Sequence, residues 1–179
     1  GTGTELLVNR VERVHGDALR ALGAKLRWTQ RRMQRPTADC EVQPDGEFCF
    51  DELHKKDLGE VARTVYEAHR EGYTSTVYGV RGLPELRETI CGRYELFART
   101  SSLHYTTLVR RKSTQSLVGV CMAGVYPDSP NRFATIPQVA VLPKCRGRGL
   151  AKAMILNTIS TAHRESPVIN LGVLVGNPA

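Results

Sequence analysis

An apolar strand that runs into an arginine- and glycine-rich loop, and then into a helix, constrains this chain more than any other feature. Residues 139–151 read Val-Ala-Val-Leu-Pro-Lys-Cys-Arg-Gly-Arg-Gly-Leu-Ala. The first N–H groups of a helix have no intrahelical acceptors and lie at the positive end of its macrodipole, so they bind anions. Gly147 and Gly149 let the backbone approach the anion, and Arg146 and Arg148 add charge. The segment therefore predicts a phosphate-binding loop.

The glycine spacing of this loop disagrees with two common nucleotide-binding motifs. A P-loop needs Gly-Lys-Ser/Thr after its first glycine, and no such tripeptide follows. The dinucleotide motif GxGxxG would begin at Gly147, but Lys152 stands at its third glycine position. The loop must belong to another class of phosphate-binding site, unless it is only a helix cap with solvated arginines.

Hydrophobic periodicity places this loop within a regular order of helices and strands. After residue 46 the pattern predicts a short strand, two helices, three antiparallel strands, one helix and one strand. Asp51 is the expected N-cap of the first of these helices. Pro137 cannot donate to a ladder, so a bulge or an unpaired edge is expected near it. The predicted elements are strands 47–50, 104–112, 117–126, 133–142 and 168–175, and helices 51–71, 83–98 and 149–164.

The motif that does match is (Gln/Arg)-x-x-Gly-x-(Gly/Ala), which is present as Arg146-Gly147-Arg148-Gly149-Leu150-Ala151. Together with the strand Val139-Ala140-Val141 and the element order, it makes residues 47–179 resemble the GNAT N-acetyltransferase superfamily. The resemblance implies an α+β fold with a central mixed, mostly antiparallel sheet flanked by helices. It also implies that acetyl-coenzyme A (acetyl-CoA), the acyl-donor substrate, binds between two splayed strands.

The resemblance further implies which residues contact the cofactor. Backbone amides of residues 146–151 would hold the pyrophosphate, and the strand edge around Val139 and Val141 would pair with pantetheine as an added strand. Asn177 matches an asparagine near the pantetheine arm, or is a simple turn residue. The predicted cofactor-binding residues are Val139, Ala140, Val141, Arg146, Gly147, Arg148, Gly149, Leu150, Ala151 and Asn177.

The implied reaction is attack of an amine on the thioester, which needs a base, an oxyanion donor and an acid. By resemblance, the Val141 N–H is a candidate oxyanion donor. Thr135 and Gln138 stand where many members carry a glutamate. Tyr126 and Asp128 either lie at the mouth of the expected site or are simple turn residues. The catalytic residues are therefore unknown. The sequence predicts an N-acetyltransferase of unknown acceptor, a small molecule or a peptide amine. The alternative is a non-catalytic acyl-CoA-binding module.

The two ends of the chain depart from the family pattern. The sequence stops at Ala179, so the C-terminal part of the fold is expected to be missing. Residues 1–36, a helix and a basic strand joined to the rest by a linker at 37–46, resemble such a closing segment. They are the tail of a preceding tandem GNAT domain, a complement of the gap in cis or through a domain-swapped dimer, or an unrelated basic helix.

Composition narrows the class of protein. A net charge of +7 favours acidic partners. An aromatic content of only 6% and the lack of a recognisable nucleic-acid-binding motif argue against nucleic acid as that partner. Five cysteines without a CxxC pair and five histidines without HExxH spacing predict reduced thiols and no metal. No apolar run approaches the roughly 18 residues of a membrane span. A cytoplasmic protein without membrane contact is therefore expected.

Overall fold

The computed structural model describes residues 13–25, 29–70, 82–129 and 131–175. Four helices and six strands are numbered here in chain order, and short 3-10 turns precede α2, β3 and α4. The helices are α1 (Arg13–Ala21), α2 (Leu58–His69), α3 (Leu83–Arg99) and α4 (Leu150–Ala162). The strands are β1 (Gln30–Pro36), β2 (Phe48–Glu52), β3 (Thr107–Arg111), β4 (Leu117–Val125), β5 (Ala134–Val141) and β6 (Val168–Leu174).

All six strands form one sheet in the order β1-β6-β5-β4-β3-β2. Every neighbouring pair is antiparallel except β5 and β6, which are parallel. Because parallel neighbours need a crossover connection, α4 lies between β5 and β6 along the chain. The predicted fold class, a mixed and mostly antiparallel sheet flanked by helices, is confirmed.

Each face of the sheet carries its own apolar core. On one face α4 packs through Leu150, Met154 and Ile159 against strand residues that include Val109 and Ile136. On the other face α2 and α3 pack over Val120, Met122 and Ala140, and β4 is buried along its whole length. The middle of the sheet thus lies between helices, and β5 lies within that middle.

The predicted elements match the structure closely, with one correction at the start of α2. Asp51 is not an N-cap, because β2 continues to Glu52 and α2 begins only at Leu58. The carboxylate of Asp51 instead accepts a hydrogen bond from Arg110 Nε at 2.7 Å. A pairing between neighbouring strands therefore replaces the local cap that the sequence pattern favoured.

The N-terminal strand β1 forms the sheet edge next to β6. It pairs antiparallel with β6 over its full length, from Gln30 opposite Leu174 to Pro36 opposite Val168. Its seven residues are all exposed. The predicted domain boundaries at 36 and 46 stay predictions, although β1 shares one sheet with the rest of the described chain.

The predicted linker at 37–46 contacts the α4 side of the molecule. Thr37 donates its backbone N–H to Pro167 O at 3.0 Å, and the Cys40 N–H donates to Ser160 Oγ at 3.2 Å.

Within the described part of the chain, no helix is long and apolar enough to cross a membrane.

Candidate active site

Strands β5 and β6 diverge after three residue pairs and leave a fork in the sheet. The parallel pairing joins Ala134 to Ile169, Thr135 to Asn170 and Ile136 to Leu171, and stops there. Pro137 follows at once, and the β4–β5 register changes around it, since Gln138 lies opposite Met122 but Thr135 opposite Gly124. One residue of β4, Ala123, thus lies opposite two of β5, Ile136 and Pro137, which is the bulge that the proline predicted.

The fork leaves the backbone of two β5 residues without a strand partner on that side. Leu142 donates its N–H to Val118 O at 2.9 Å, so its polar groups face β4. Hydrogen-bonding direction alternates along a strand, which turns the groups of Val139 and Val141 away from β4 and toward the fork. This free edge, defined as the outward backbone of Val139 and Val141, has no strand partner among the described residues. The side chains of Arg146 and His69 contact its carbonyl side, so its N–H groups are what can pair with an extended ligand as an additional strand.

The glycine-rich loop continues β5 toward α4 in a conformation that needs its glycines. Gly147 has φ of 76° and Gly149 has φ of 72°, which is the left-handed region. The first hydrogen bond of α4 runs from the Ala153 N–H to Gly149 O at 3.0 Å. The N–H groups of residues 150–152 thus precede the intrahelical bonds, as an anion site at a helix N-terminus requires.

The two arginines of the motif have intramolecular partners. Arg146 donates from Nη2 to Ala68 O at 2.6 Å and from Nε to Val141 O at 3.3 Å, and so connects the end of α2 to β5. Arg148 pairs with Asp45 and Glu47, and its guanidinium lies 4.6 Å from the Phe48 ring centroid. Binding of an anion by the loop therefore depends on backbone amides, unless these side chains change partners.

A histidine that sequence reasoning did not assign to the site contacts the fork. His69 is the last residue of α2, and its Nε2 lies 2.8 Å from Nε2 of Gln138 on β5. The ring also hydrogen bonds with the backbone of Val139. The contact joins residues 69 positions apart, and no local sequence pattern signals it.

The remaining predicted residues lie where their elements place them. Val139, Ala140 and Val141 are on β5, and Leu150 and Ala151 open α4. Asn177 lies outside the described residues. Tyr126 packs edge-on against Phe97, with ring centroids 5.4 Å apart. Across the described ranges, no cluster of three His, Cys, Asp or Glu side chains could hold a metal ion.

Asn170 marks the base of the fork. It is 3% exposed, it pairs with Thr135 across the β5–β6 ladder, and its Oδ1 has no hydrogen-bond partner among the described residues. A buried acceptor without a donor is unfavourable by about 1–3 kcal/mol.

Solved structures of acetyltransferases share this architecture. The GCN5-related N-acetyltransferase from Sphaerobacter thermophilus aligns with a TM-score of 0.67 and 16% identity, over 94% of this chain and 51% of that one. A tandem GNAT protein from the clavulanic acid biosynthesis pathway gives 0.59 and 12%, over 93% and 52%. Arylalkylamine N-acetyltransferase 2 from Aedes aegypti gives 0.51 and 14%, over 65% and 71%.

These identities show a shared fold, and this chain spans about half the length of the Sphaerobacter and clavulanic acid pathway proteins. No curated protein matches the sequence. The model of the acetyltransferase (GNAT) family matches residues 62–179, which include most of α2, the fork and the loop. That match covers more than half of the sequence, and the chain therefore belongs to the GNAT acetyltransferase family.

Proposed function

We propose that this chain is an acetyl-CoA-dependent N-acetyltransferase. The pyrophosphate of acetyl-CoA binds the backbone amides between Gly147 and Ala151, and the pantetheine arm lies along the free edge of β5. The thioester then lies in the fork between β5 and β6. A primary amine attacks it there, and coenzyme A leaves as the thiol.

The observation that supports this proposal most strongly is the early end of the β5–β6 pairing. A parallel pair that stops after Ile136 exposes Val139 and Val141 on the strand that leads directly into the loop. One extended molecule can therefore contact the free edge and the helix N-terminus together. Acetyl-CoA has that shape, with a diphosphate at one end of a pantetheine chain.

Calorimetry with acetyl-CoA tests the proposed binding site. Gly149→Asp places bulk and negative charge at the loop, and we expect it to abolish the binding that the unmodified protein shows. Gly23→Asp is the matched control, because Gly23 also has a positive φ, 90°, but lies just after α1. The control should bind as the unmodified protein does. No binding to the unmodified protein would contradict the proposal.

A non-catalytic acyl-CoA-binding module is the second candidate function. Thr135 and Gln138 on β5 favour it, since neither can act as a carboxylate base. Thiol release from acetyl-CoA separates the two functions, with tyramine, spermidine and a short peptide with a free amino terminus as acceptors. Release with one of these amines supports the transferase. Binding without release from any of them supports the module.

A further inference from the structure

Two ionisable side chains contact the free edge of β5, and they differ in what they can do chemically. Arg146 donates to Val141 O, and His69 contacts Val139 and Gln138. A guanidinium stays protonated in proteins and cannot accept a proton. An imidazole gains and loses a proton near neutral pH. His69 can therefore act as a base at the point where the thioester would lie.

The fold holds the His69 ring against β5 from two directions. α2 packs on β4 and β5, which brings its last residue to the fork. Arg146 fixes the same helix end through Ala68 O at 2.6 Å. His69 and Gln138 are both only partly buried, so the ring contacts the strand without being sealed from an entering molecule.

The surroundings of His69 favour the neutral ring. Burial lowers the pKa of His69, the hydrogen bond to the backbone of Val139 partly opposes this, and the positive charge of Arg146 lowers it further. On α2 itself Glu67 is paired with Arg70, at 3.4 Å. The ring is therefore uncharged at neutral pH, which a base requires.

The hydrogen bonds also determine which ring nitrogen is free to accept a proton. A backbone bond that favours the charged ring runs from a ring N–H to a carbonyl oxygen, here Val139 O. The Gln138 amide nitrogen that faces Nε2 can only donate a hydrogen bond, so Nε2 accepts it and the N–H of the neutral ring is on Nδ1. The lone pair of Nε2 then accepts a hydrogen bond from the Gln138 amide. An acceptor amine that replaces this amide can bind to the same lone pair.

From this geometry we propose that His69 is the general base of the transfer reaction, with Gln138 as a positioning residue. The inference rests on the proposed function. His69 Nε2 takes one proton from the acceptor ammonium and passes it to solvent. The free amine attacks the thioester carbon, a C–N bond forms, and the C–S bond breaks. The second proton on nitrogen goes to the departing sulfur, so each turnover yields an amide, coenzyme A thiol and one proton.

The variant His69→Gln separates this role from cofactor binding. We expect acetyl-CoA affinity within twofold of the unmodified protein, and kcat/KM with the amine panel about 10²-fold lower or more. The fall of kcat/KM at acid pH, the acid limb of the pH profile, should disappear in this variant. Exogenous imidazole should restore part of the rate in His69→Ala, which a purely structural role would not explain. His163→Gln is the matched control, since His163 is exposed just after α4.

Gln138→Glu gives a second test through the position of the acid limb. A carboxylate beside Nε2 favours the charged ring, because opposite charges at this distance shift a pKa by about 1–3 units. The acid limb should therefore move to higher pH. An acid limb that stays in place in this variant and in His69→Gln would overturn the proposal.

A spectroscopic test does not depend on finding the acceptor. Long-range ¹H–¹⁵N correlation spectra of the acetyl-CoA complex at pH 7 should show His69 neutral with its proton on Nδ1. A charged ring, or a proton on Nε2, would overturn the assignment of the base. A rate in His69→Gln equal to that of the unmodified protein would do so too, and would leave the proposed function intact. Failure to bind acetyl-CoA would contradict the proposed function itself.

Discussion

At the residue scale, Gly124 on β4 shows how tightly α3 packs against the sheet. A Cβ at this position would lie 2.3 Å from Cγ of Phe97, whose side chain is fully buried. We expect Gly124→Ala to lower the free energy of unfolding by about 1–3 kcal/mol, because the ring cannot move away without displacing the core. Urea denaturation measures the change.

Gly92→Ala is the matched control for this substitution. Gly92 lies within α3, and a Cβ added there would meet no other atom within 4 Å. Its replacement should therefore stabilise the helix by roughly 0.8–1 kcal/mol. Equal and small effects of the two substitutions would contradict the close packing of Phe97 against Gly124.

Single residues differ in how far the sequence reveals their roles. The positive φ of Gly147 and Gly149 could be predicted, because the motif needs backbone that only glycine adopts readily. Their contact with a phosphate stays a prediction. The contact of His69 with Gln138 could not be predicted, because it forms only when α2 packs on β5. The partners of Arg146 and Arg148 were equally inaccessible, since Ala68, Asp45 and Glu47 are distant in sequence.

At the scale of elements, Arg110 joins β3 to β2 and to the start of α2. Its guanidinium is 11% exposed and pairs with Asp51 at 2.7 Å, Asp57 at 2.9 Å and Glu60 at 2.8 Å. Glu60 also accepts the Leu117 N–H at 3.0 Å, which brings β4 into the same cluster. This charge cluster fixes α2, and with it His69, relative to the sheet.

Removing the charge of Arg110 should destabilise the protein strongly. Arg110→Met leaves three carboxylates together, and the side chain of Asp57 is only 7% exposed. We expect the free energy of unfolding to fall by about 3–5 kcal/mol at pH 7. We expect the stability of Arg110→Lys to lie between that of the unmodified protein and that of Arg110→Met, because a lysine ammonium cannot match the planar guanidinium. Arg87→Met, on the exposed surface of α3, should change stability by less than about 0.5 kcal/mol.

Periodicity and turn residues predicted the elements well, but not every boundary. Helix α3 was predicted at 83–98 and is observed at Leu83–Arg99, because Pro84 and a regular apolar stripe define it. The predicted start of α2 was wrong, because Asp51 continues β2 and bonds the distant Arg110 instead of capping the helix. Boundaries set by tertiary ion pairs are not present in local patterns.

At the scale of the whole molecule, stability should decline in two steps as the pH falls. The pKa of His69 is lowered on folding by burial. The contribution of His69 to the free energy of unfolding is therefore present above about pH 6.5 and is lost as the pH falls below that value. Burial acts to raise the pKa values of Asp51 and Glu60, but hydrogen bonds from Arg110 hold both below their ordinary values. Their contribution is therefore lost below about pH 4.

Urea denaturation between pH 3 and pH 8 measures both steps. His69→Gln should lack the first step and keep the second. A free energy of unfolding that rises between pH 7 and pH 5.5 in the unmodified protein would contradict the neutral state of His69.

The sheet as a whole contains one feature that the sequence left open. Strand β1 pairs with β6 beyond the fork, where its residues 30–32 oppose 172–174. We propose that this segment complements the sheet in cis, which was one of three alternatives for the N-terminal residues. The family resemblance suggested the three alternatives for the N-terminal residues. Only the register of β1 against β6 shows that this segment is a strand of the sheet and not a separate basic segment.

Amide hydrogen exchange of β5 tests directly whether acetyl-CoA pairs with this strand. If the pantetheine arm of acetyl-CoA pairs with the free edge, saturating acetyl-CoA should slow exchange at the Val139 and Val141 amides, which face the fork. The Ala140 amide, which faces β4, should change little. Binding that saturates while the Val139 and Val141 amides exchange at unchanged rates would contradict the pairing of acetyl-CoA with β5.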